Sequence, residues 1–256
     1  MADLLLDARG ITVRFGGLTA VDGVDATFHA GELVGIIGPN GAGKTTFFNA
    51  ISGVIAPTSG SLLVGGQDLA GQGPHRYAAQ GIARTFQTPR VFPEMTVSAN
   101  IDFGLQFAGR HRDAPALLRD VPAILSLIGL SAQSELLSAD ITPSQQRVLE
   151  IGMALATRPR LLLLDEVAAG LTEAEVENMA RLIGRLRAEL GLAVVWIEHA
   201  VTTLLRHVER VIVLHQGRKI ADGSPSEVVR NAEVVEAYLG DEMNDAANGK
   251  GSEVVE

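Results

Sequence analysis

The stretch GPNGAGKTT, residues 38–46, constrains this chain more than any other. It follows an apolar run, Leu33 to Ile37, and leads into a stretch of helical periodicity from Lys44 to Ile51. Gly38, Gly43, Lys44 and Thr45 meet the spacing G-x-x-x-x-G-K-[ST] in the strand, loop, helix order that this motif requires. Glycines there let backbone N–H groups approach a phosphate with no Cβ in the way, and the helix amino terminus adds favourable dipole charge. The ammonium of Lys44 is then placed to reach the β and γ phosphates of ATP, and the Thr45 hydroxyl to coordinate Mg²⁺. Asn40, Gly41, Ala42 and Thr46 belong to the same candidate ATP-binding loop. The plainer reading, a glycine turn before an amphipathic helix, is disfavoured by the specificity of the spacing.

A second signal lies at LLLLDE, residues 161–166. Asp165 is placed to hold Mg²⁺, directly or through water, and Glu166 to polarise a water attacking the γ phosphate. Alone, a hydrophobic strand ending in a charged turn is commonplace; beside a phosphate cradle it points to hydrolysis. His199 follows another apolar run, VVWIE, at the strand edge where ligands gather in open α/β sheets. Gln87, within ARTFQTPR, carries an amide able to ligate Mg²⁺ or water, although most loop glutamines have no such duty.

The rest of the chain organises around these motifs. Leu4 to Leu33 reads as two or three antiparallel strands, with turns at Gly16-Gly17 and His29-Ala30-Gly31. Residues 92–158 switch to helical spacing (Leu117, Leu118, Val121, Ile124, Leu125, Ile128), broken at Pro115 and Gly129. LLLL at 161–164 and VVWI at 194–197 read as buried parallel strands, separated by a charged helix from about Glu173 to Glu189. The expected fold class is therefore α/β: a P-loop core with an N-terminal antiparallel β subdomain and an α-helical subdomain inserted over about 92–158. Residues 1–240 form one domain in this reading. The tail DEMNDAANGKGSEVVE, 241–256, is polar and acidic and is expected to be disordered.

Composition narrows the function classes. Hydrophobic residues make up 46% of the chain, enough for a sizeable core. No uncharged apolar run approaches the roughly eighteen residues needed to cross a bilayer, and MADLLLDARG lacks a basic region and a cleavage site. A cytosolic location is expected, with membrane contact made through a partner. The absence of cysteine excludes disulfides and thiolate metal sites. A net charge of -9 argues against a nucleic-acid surface.

Taken together, GPNGAGKTT, Gln87, ITPSQQR, LLLLDE, AAGLT and His199 resemble, in order and rough spacing, an ATP-binding-cassette (ABC) ATPase, over residues 4 to about 240. RFGGLTAVDGV, RTFQTPRVFPEMTVSAN, DEVAAGL, WIEHAV and VVEAYLG further resemble the ATP-binding subunits of bacterial branched-chain (hydrophobic) amino acid importers. The resemblance implies that Phe15 stacks on adenine, that Gln87 links the metal to the membrane-facing surface, and that His199 contacts the γ phosphate. It implies that the loop with Val91, Phe92 and Met95 receives a permease segment, although each of these residues could equally be core. It also implies two integral-membrane permease subunits, a second related ATPase, a periplasmic or extracellular substrate-binding protein, and a place on the cytoplasmic face of the inner membrane. An exporter ATPase is the nearest rival. A soluble ABC ATPase of DNA maintenance would bring a coiled-coil or zinc insertion and a basic groove, and a P-loop kinase leaves ITPSQQR and His199 without a role.

ITPSQQR, residues 141–147, departs from the family's glycine-containing signature, in which a serine hydroxyl and a glycine amide approach the γ phosphate held by the other subunit of the dimer. Thr142, Ser144 and Gln145 occupy its functional places. Physically the stretch is a strong helix start: a Thr N-cap, Pro143 at the first helical position, and Gln three residues after the cap. The Ser144 amide can still face an anion, but its Cβ crowds the approach, and the Thr142 hydroxyl is open to diversion into capping its own helix. A weakened half-site is expected, against the alternative of a tolerated variant. Val167 for the usual proline, Thr172 for the usual Asp or Asn, and a short helical insertion are further departures.

Overall fold

The computed structural model describes residues 3–107, 115–198 and 201–238. The chain begins with two long antiparallel strands, β1 (Leu4–Phe15) and β2 (Leu18–His29), joined at Gly16-Gly17. β3 (Leu33–Ile37) then leaves that sheet, and α1 (Lys44–Ile51) follows directly after the glycine loop. β4 (Ser59–Val64) and β5 (Gln67–Asp68) return to the first sheet, giving the order β2-β1-β4-β5. The expected antiparallel strands are thus two, and the sheet is completed by strands that the sequence pattern did not reveal.

Next come α2 (Pro74–Ala79), β6 (Ile82–Arg84), α3 (Val97–Gln106), α4 (Val121–Ile128) and α5 (Pro143–Ala156). The chain continues through β7 (Leu161–Asp165), α6 (Glu173–Leu190), β8 (Ala193–Ile197), α7 (Val201–His207), β9 (Arg210–His215), β10 (Arg218–Gly223) and α8 (Pro225–Val228). The second sheet has the order β10-β9-β3-β8-β7-β6, parallel except at the β10 edge. α3, α4 and α5 pack on one another. α4 ends where expected, at Gly129 in the left-handed region (φ 76°), which an L side chain adopts only with strain.

Alternation along the buried parallel strands divides the core. Leu162, Leu164, Val194, Trp196, Val211 and Val213 face one side, with Ile124, Ile128, Leu149 and Ile151 of the helices. Leu161, Leu163, Val195, Ile197, Ile212 and Leu214 face the other, with Phe47 and Phe48 of α1 and Leu6, Ile11 and Phe28 of the antiparallel sheet. A period-2 strand buried on both faces sends successive side chains into different layers, which is why LLLL and VVWI read as unbroken apolar runs. The carboxyl ends of β3 and β7 consequently emerge side by side with β8 between them, and carry the glycine loop and Asp165-Glu166. Residues 241–256 and His199 lie outside the described residues.

Candidate functional site

The loop between β3 and α1 requires its glycines. Gly38 (φ 153°) packs so tightly that a Cβ would fall 2.1 Å from the Leu214 carbonyl oxygen. At Gly43 (φ 96°), the N-cap of α1, it would fall 2.4 Å from the Ala20 oxygen. Lys44 is buried and curls over the loop, its Nζ donating to the carbonyls of Gly38 (2.6 Å) and Pro39 (2.9 Å). Phe15, Asn40, Lys44, Thr45, Thr46 and Glu166 line a cavity of about 400 Å³, together with Gly41, Ala42 and Gly43. Phe15, which lines the cavity, is 49% exposed, as an aromatic ring available to a planar ligand would be.

Asp165 ends β7 and Glu166 follows directly after it, and both are buried. The Gln87 amide donates to Glu166 Oε2 at 2.6 Å, so two residues singled out separately in the sequence are in contact. Glu166 adopts φ 49°, a left-handed conformation that turns the chain sharply off the strand. Asp165 pairs with Arg84 at 3.1 Å. Arg84 also donates to Asn49 Oδ1 and Ser52 Oγ of the segment around α1, both at 2.8 Å, and lies over the Phe48 and Phe86 rings. Burial lowers the pKa of Arg84, against the opposing pull of Asp165.

The start of α5 forms as its sequence dictates. Thr142 Oγ1 accepts from the Gln145 amide at 3.2 Å, and Gln145 Oε1 accepts from the Thr142 amide at 3.0 Å, a complete capping box with Pro143 at the first position. The Thr142 hydroxyl is therefore engaged within its own helix. Ser144 lines a separate groove with Val148, Glu175 and Met179, and its hydroxyl helps hold the Glu175 carboxyl below its ordinary range, after the larger contributions of the Thr172 amide and hydroxyl. The three signature residues do not line the phosphate-loop cavity.

Comparison with known proteins agrees with this geometry. The family model described as ABC transporter matches residues 21–169. The chain belongs to the ABC transporter ATPase family. A second model, Branched-chain amino acid ATP-binding cassette transporter, matches residues 218–243 of this ABC ATPase. It is 37% identical to the high-affinity branched-chain amino acid transport ATP-binding protein BraF of Pseudomonas aeruginosa, over 94% of this chain and 100% of that protein. LivG of Escherichia coli, of the same description, matches at 37% with the same coverage. Among solved structures, the ADP conformation of MJ1267, an ATP-binding cassette of an ABC transporter, superposes with a TM-score of 0.81 at 29% identity, covering 93% of this chain and 99% of that one.

For an ABC ATPase the residues present suit Mg-ATP. A hydroxyl (Thr45), a carboxylate (Asp165) and an amide carbonyl (Gln87) are hard oxygen donors of the kind Mg²⁺ prefers, and Gly41 (φ 76°), which lines the cavity, has open space where a Cβ would stand. Among the described residues no group of three or more His, Cys, Asp or Glu side chains forms a standing metal site.

Sequence reasoning missed several charged residues around this centre. Besides Arg84, these include Arg147, Glu150 and Glu198. Glu198 is buried and accepts from the Ala168 amide (2.6 Å) and Trp196 Nε1 (3.1 Å), tying the end of β8 to the turn after Glu166. The available signal was a charge inside an otherwise apolar run, as in VLEIG or VVWIE. Asn100 was also missed; wholly buried, it holds the loop after Gln87 by accepting from the Phe92 amide at 2.8 Å and donating to the Thr96 carbonyl at 2.9 Å. Phe92 itself is exposed and meets Phe103 edge to face at 4.7 Å, whereas Val91 packs against the core.

Proposed function

We propose that this ABC ATPase binds Mg-ATP in the Phe15–Lys44–Glu166 cavity and hydrolyses it to power import of branched-chain or related hydrophobic amino acids. The observation that carries the reading is the Gln87–Glu166 contact beside the phosphate loop. It joins a candidate metal ligand to a candidate base within reach of the loop that would hold the phosphates. Glu166 would orient and deprotonate the attacking water, Lys44 would leave the loop carbonyls for the β and γ phosphates, and Thr45, Asp165 and Gln87 would hold Mg²⁺. When bound, Mg²⁺ supplies neutralisation of the charge that develops on the phosphates. Phe15 supports the adenine ring.

Import as the direction, and branched-chain amino acids as the cargo, rest on likeness to the BraF and LivG proteins over nearly the whole chain. In this reading the chain docks at the cytoplasmic face of the membrane on two permease subunits, beside a second ATPase, and is served by a substrate-binding protein outside. No helix among the described residues is long and apolar enough to cross a membrane, so attachment through the permeases is the arrangement that fits. The permease would dock on the loop after Gln87, with Val91, Phe92 and Met95, and an apolar groove of about 450 Å³ that includes Val54, Ile82, Phe86 and Ala154 lies beside that loop.

The test is binding of a fluorescent ATP analogue, followed by leucine uptake in vesicles carrying the assembled transporter. Lys44→Ala should fold, lose most nucleotide affinity and abolish uptake. A folded Lys44→Ala protein that binds ATP as wild type does would remove the assignment.

A further inference from the structure

α5 joins two places that have to cooperate. Its amino end carries Thr142-Pro143-Ser144-Gln145, and within the next two turns it presents Arg147 and Glu150 to the hydrolytic centre. The Arg147 guanidinium donates from Nη1 to the backbone carbonyls of Gln87 and Glu166, each at 3.2 Å, and from Nη2 to the Ala169 carbonyl at 2.7 Å. One turn later Glu150, 5% exposed, accepts through Oε1 the amides of Phe86 (3.3 Å) and Arg90 (3.0 Å). These amides bracket Gln87. Arg90 stacks on the Phe86 ring at 4.0 Å and stiffens the same segment.

We propose that Arg147 and Glu150 are positioning residues that couple the signature end of α5 to the Gln87–Glu166 pair, so that nucleotide engaged by ITPSQQR sets the geometry of this chain's own hydrolytic centre. The proposal rests on the functional reading above. A guanidinium suits the task because its planar fork reaches three carbonyls on two loops in fixed directions, which a lysine ammonium does not reproduce. A carboxylate suits the second contact because one oxygen accepts two amides on either side of Gln87. Rigid displacement of α5 therefore carries residues 86–90 through Glu150, and both loops through Arg147. Neither side chain lines the phosphate-loop cavity, so each acts through Gln87 and Glu166.

The experiment compares Arg147→Ala, Arg147→Lys, Glu150→Ala and Glu150→Gln in the full chain and in the transporter purified with its permeases and second ATPase. ATP-analogue affinity of the isolated chain should stay within about twofold of wild type, since the cradle is untouched. In the complex kcat should fall by about 10- to 100-fold for Arg147→Ala, and the Hill coefficient for ATP should drop toward about one as the two sites uncouple. Arg147→Lys keeps charge and fold and should still lose much of kcat, while Glu150→Gln, which retains the accepting oxygen, should recover activity lost in Glu150→Ala. Unchanged kcat and Hill coefficient in folded Arg147→Ala or Arg147→Lys would overturn the coupling. So would nucleotide affinity falling in step with kcat, the mark of a merely structural role. A wild-type complex that does not hydrolyse Mg-ATP would instead overturn the functional reading, and this proposal with it.

Discussion

Gln87 and Glu166, 79 positions apart in sequence, meet through a 2.6 Å hydrogen bond from the glutamine amide to the glutamate carboxylate. The contact orients the carboxylate beside the phosphate loop and occupies one of its oxygens. Glu166→Gln preserves size and hydrogen-bonding capacity but removes the proposed base. ATP should stay bound, while turnover falls by about two to four powers of ten. Single-turnover hydrolysis with labelled ATP measures this, and normal turnover would place the base elsewhere.

Arg84 should prove a stability residue as well as a neighbour of the proposed metal site. Its side chain and that of Asp165 are both largely buried, so Arg84→Ala breaks a buried ion pair and removes one partner of the carboxylate. Denaturant unfolding should show a loss of about 3–5 kcal/mol. Mg-ATP should stabilise this variant more than wild type, because the incoming ion compensates Asp165. An equal ligand-induced rise in Tm for both proteins would refute that link.

The altered signature should make the two nucleotide sites unequal. This chain's phosphate loop and Glu166 are intact, whereas the Thr142 hydroxyl is engaged by the Gln145 amide and Ser144 stands where glycine is usual. Hydrolysis should depend mainly on this chain's Lys44 and Glu166, completed by the second ATPase's signature. Glu166→Gln should then cost far more activity than the equivalent change in the second ATPase, and Ser144→Gly should raise turnover at the opposite site. Equal losses from the two glutamate substitutions would leave ITPSQQR a harmless variant.

Glu150 gives the fold a pH dependence of known sign. Burial pushes its carboxyl from the ordinary 4.5 up to about 7, against the opposing pull of the Arg90 and Phe86 amides. A carboxyl whose pKa is raised by folding contributes stability that is complete below about 4.5 and is lost as pH rises through about 7. Between pH 5 and pH 8 the wild type should therefore lose on the order of 1 to 3 kcal/mol relative to Glu150→Gln, which mimics the neutral acid at every pH. Parallel Tm profiles for the two proteins would show that the carboxyl is ionised throughout.

What the sequence determined by itself is what neighbours along the chain determine together. GPNGAGKTT forms a loop and helix start because the glycines, the lysine and the N-terminal amides lie within nine consecutive residues. Thr142, Pro143 and Gln145 cap α5, and LLLLDE delivers two acids at a strand end, through chemistry confined to a few residues. Tertiary structure alone decided which of these pieces face one another. β7 and β3 both lie beside β8, which is later than either in sequence, and no local pattern encodes that order. Arg84 reaches Asp165 across 81 positions, and Arg147 reaches Gln87 across 60, because parallel strands need long crossovers that bring distant segments to one sheet edge. An isolated arginine or glutamate in an apolar run signals a buried partner, since an unpaired charge in the core is too costly to keep. Only the packed sheet and helices identify that partner.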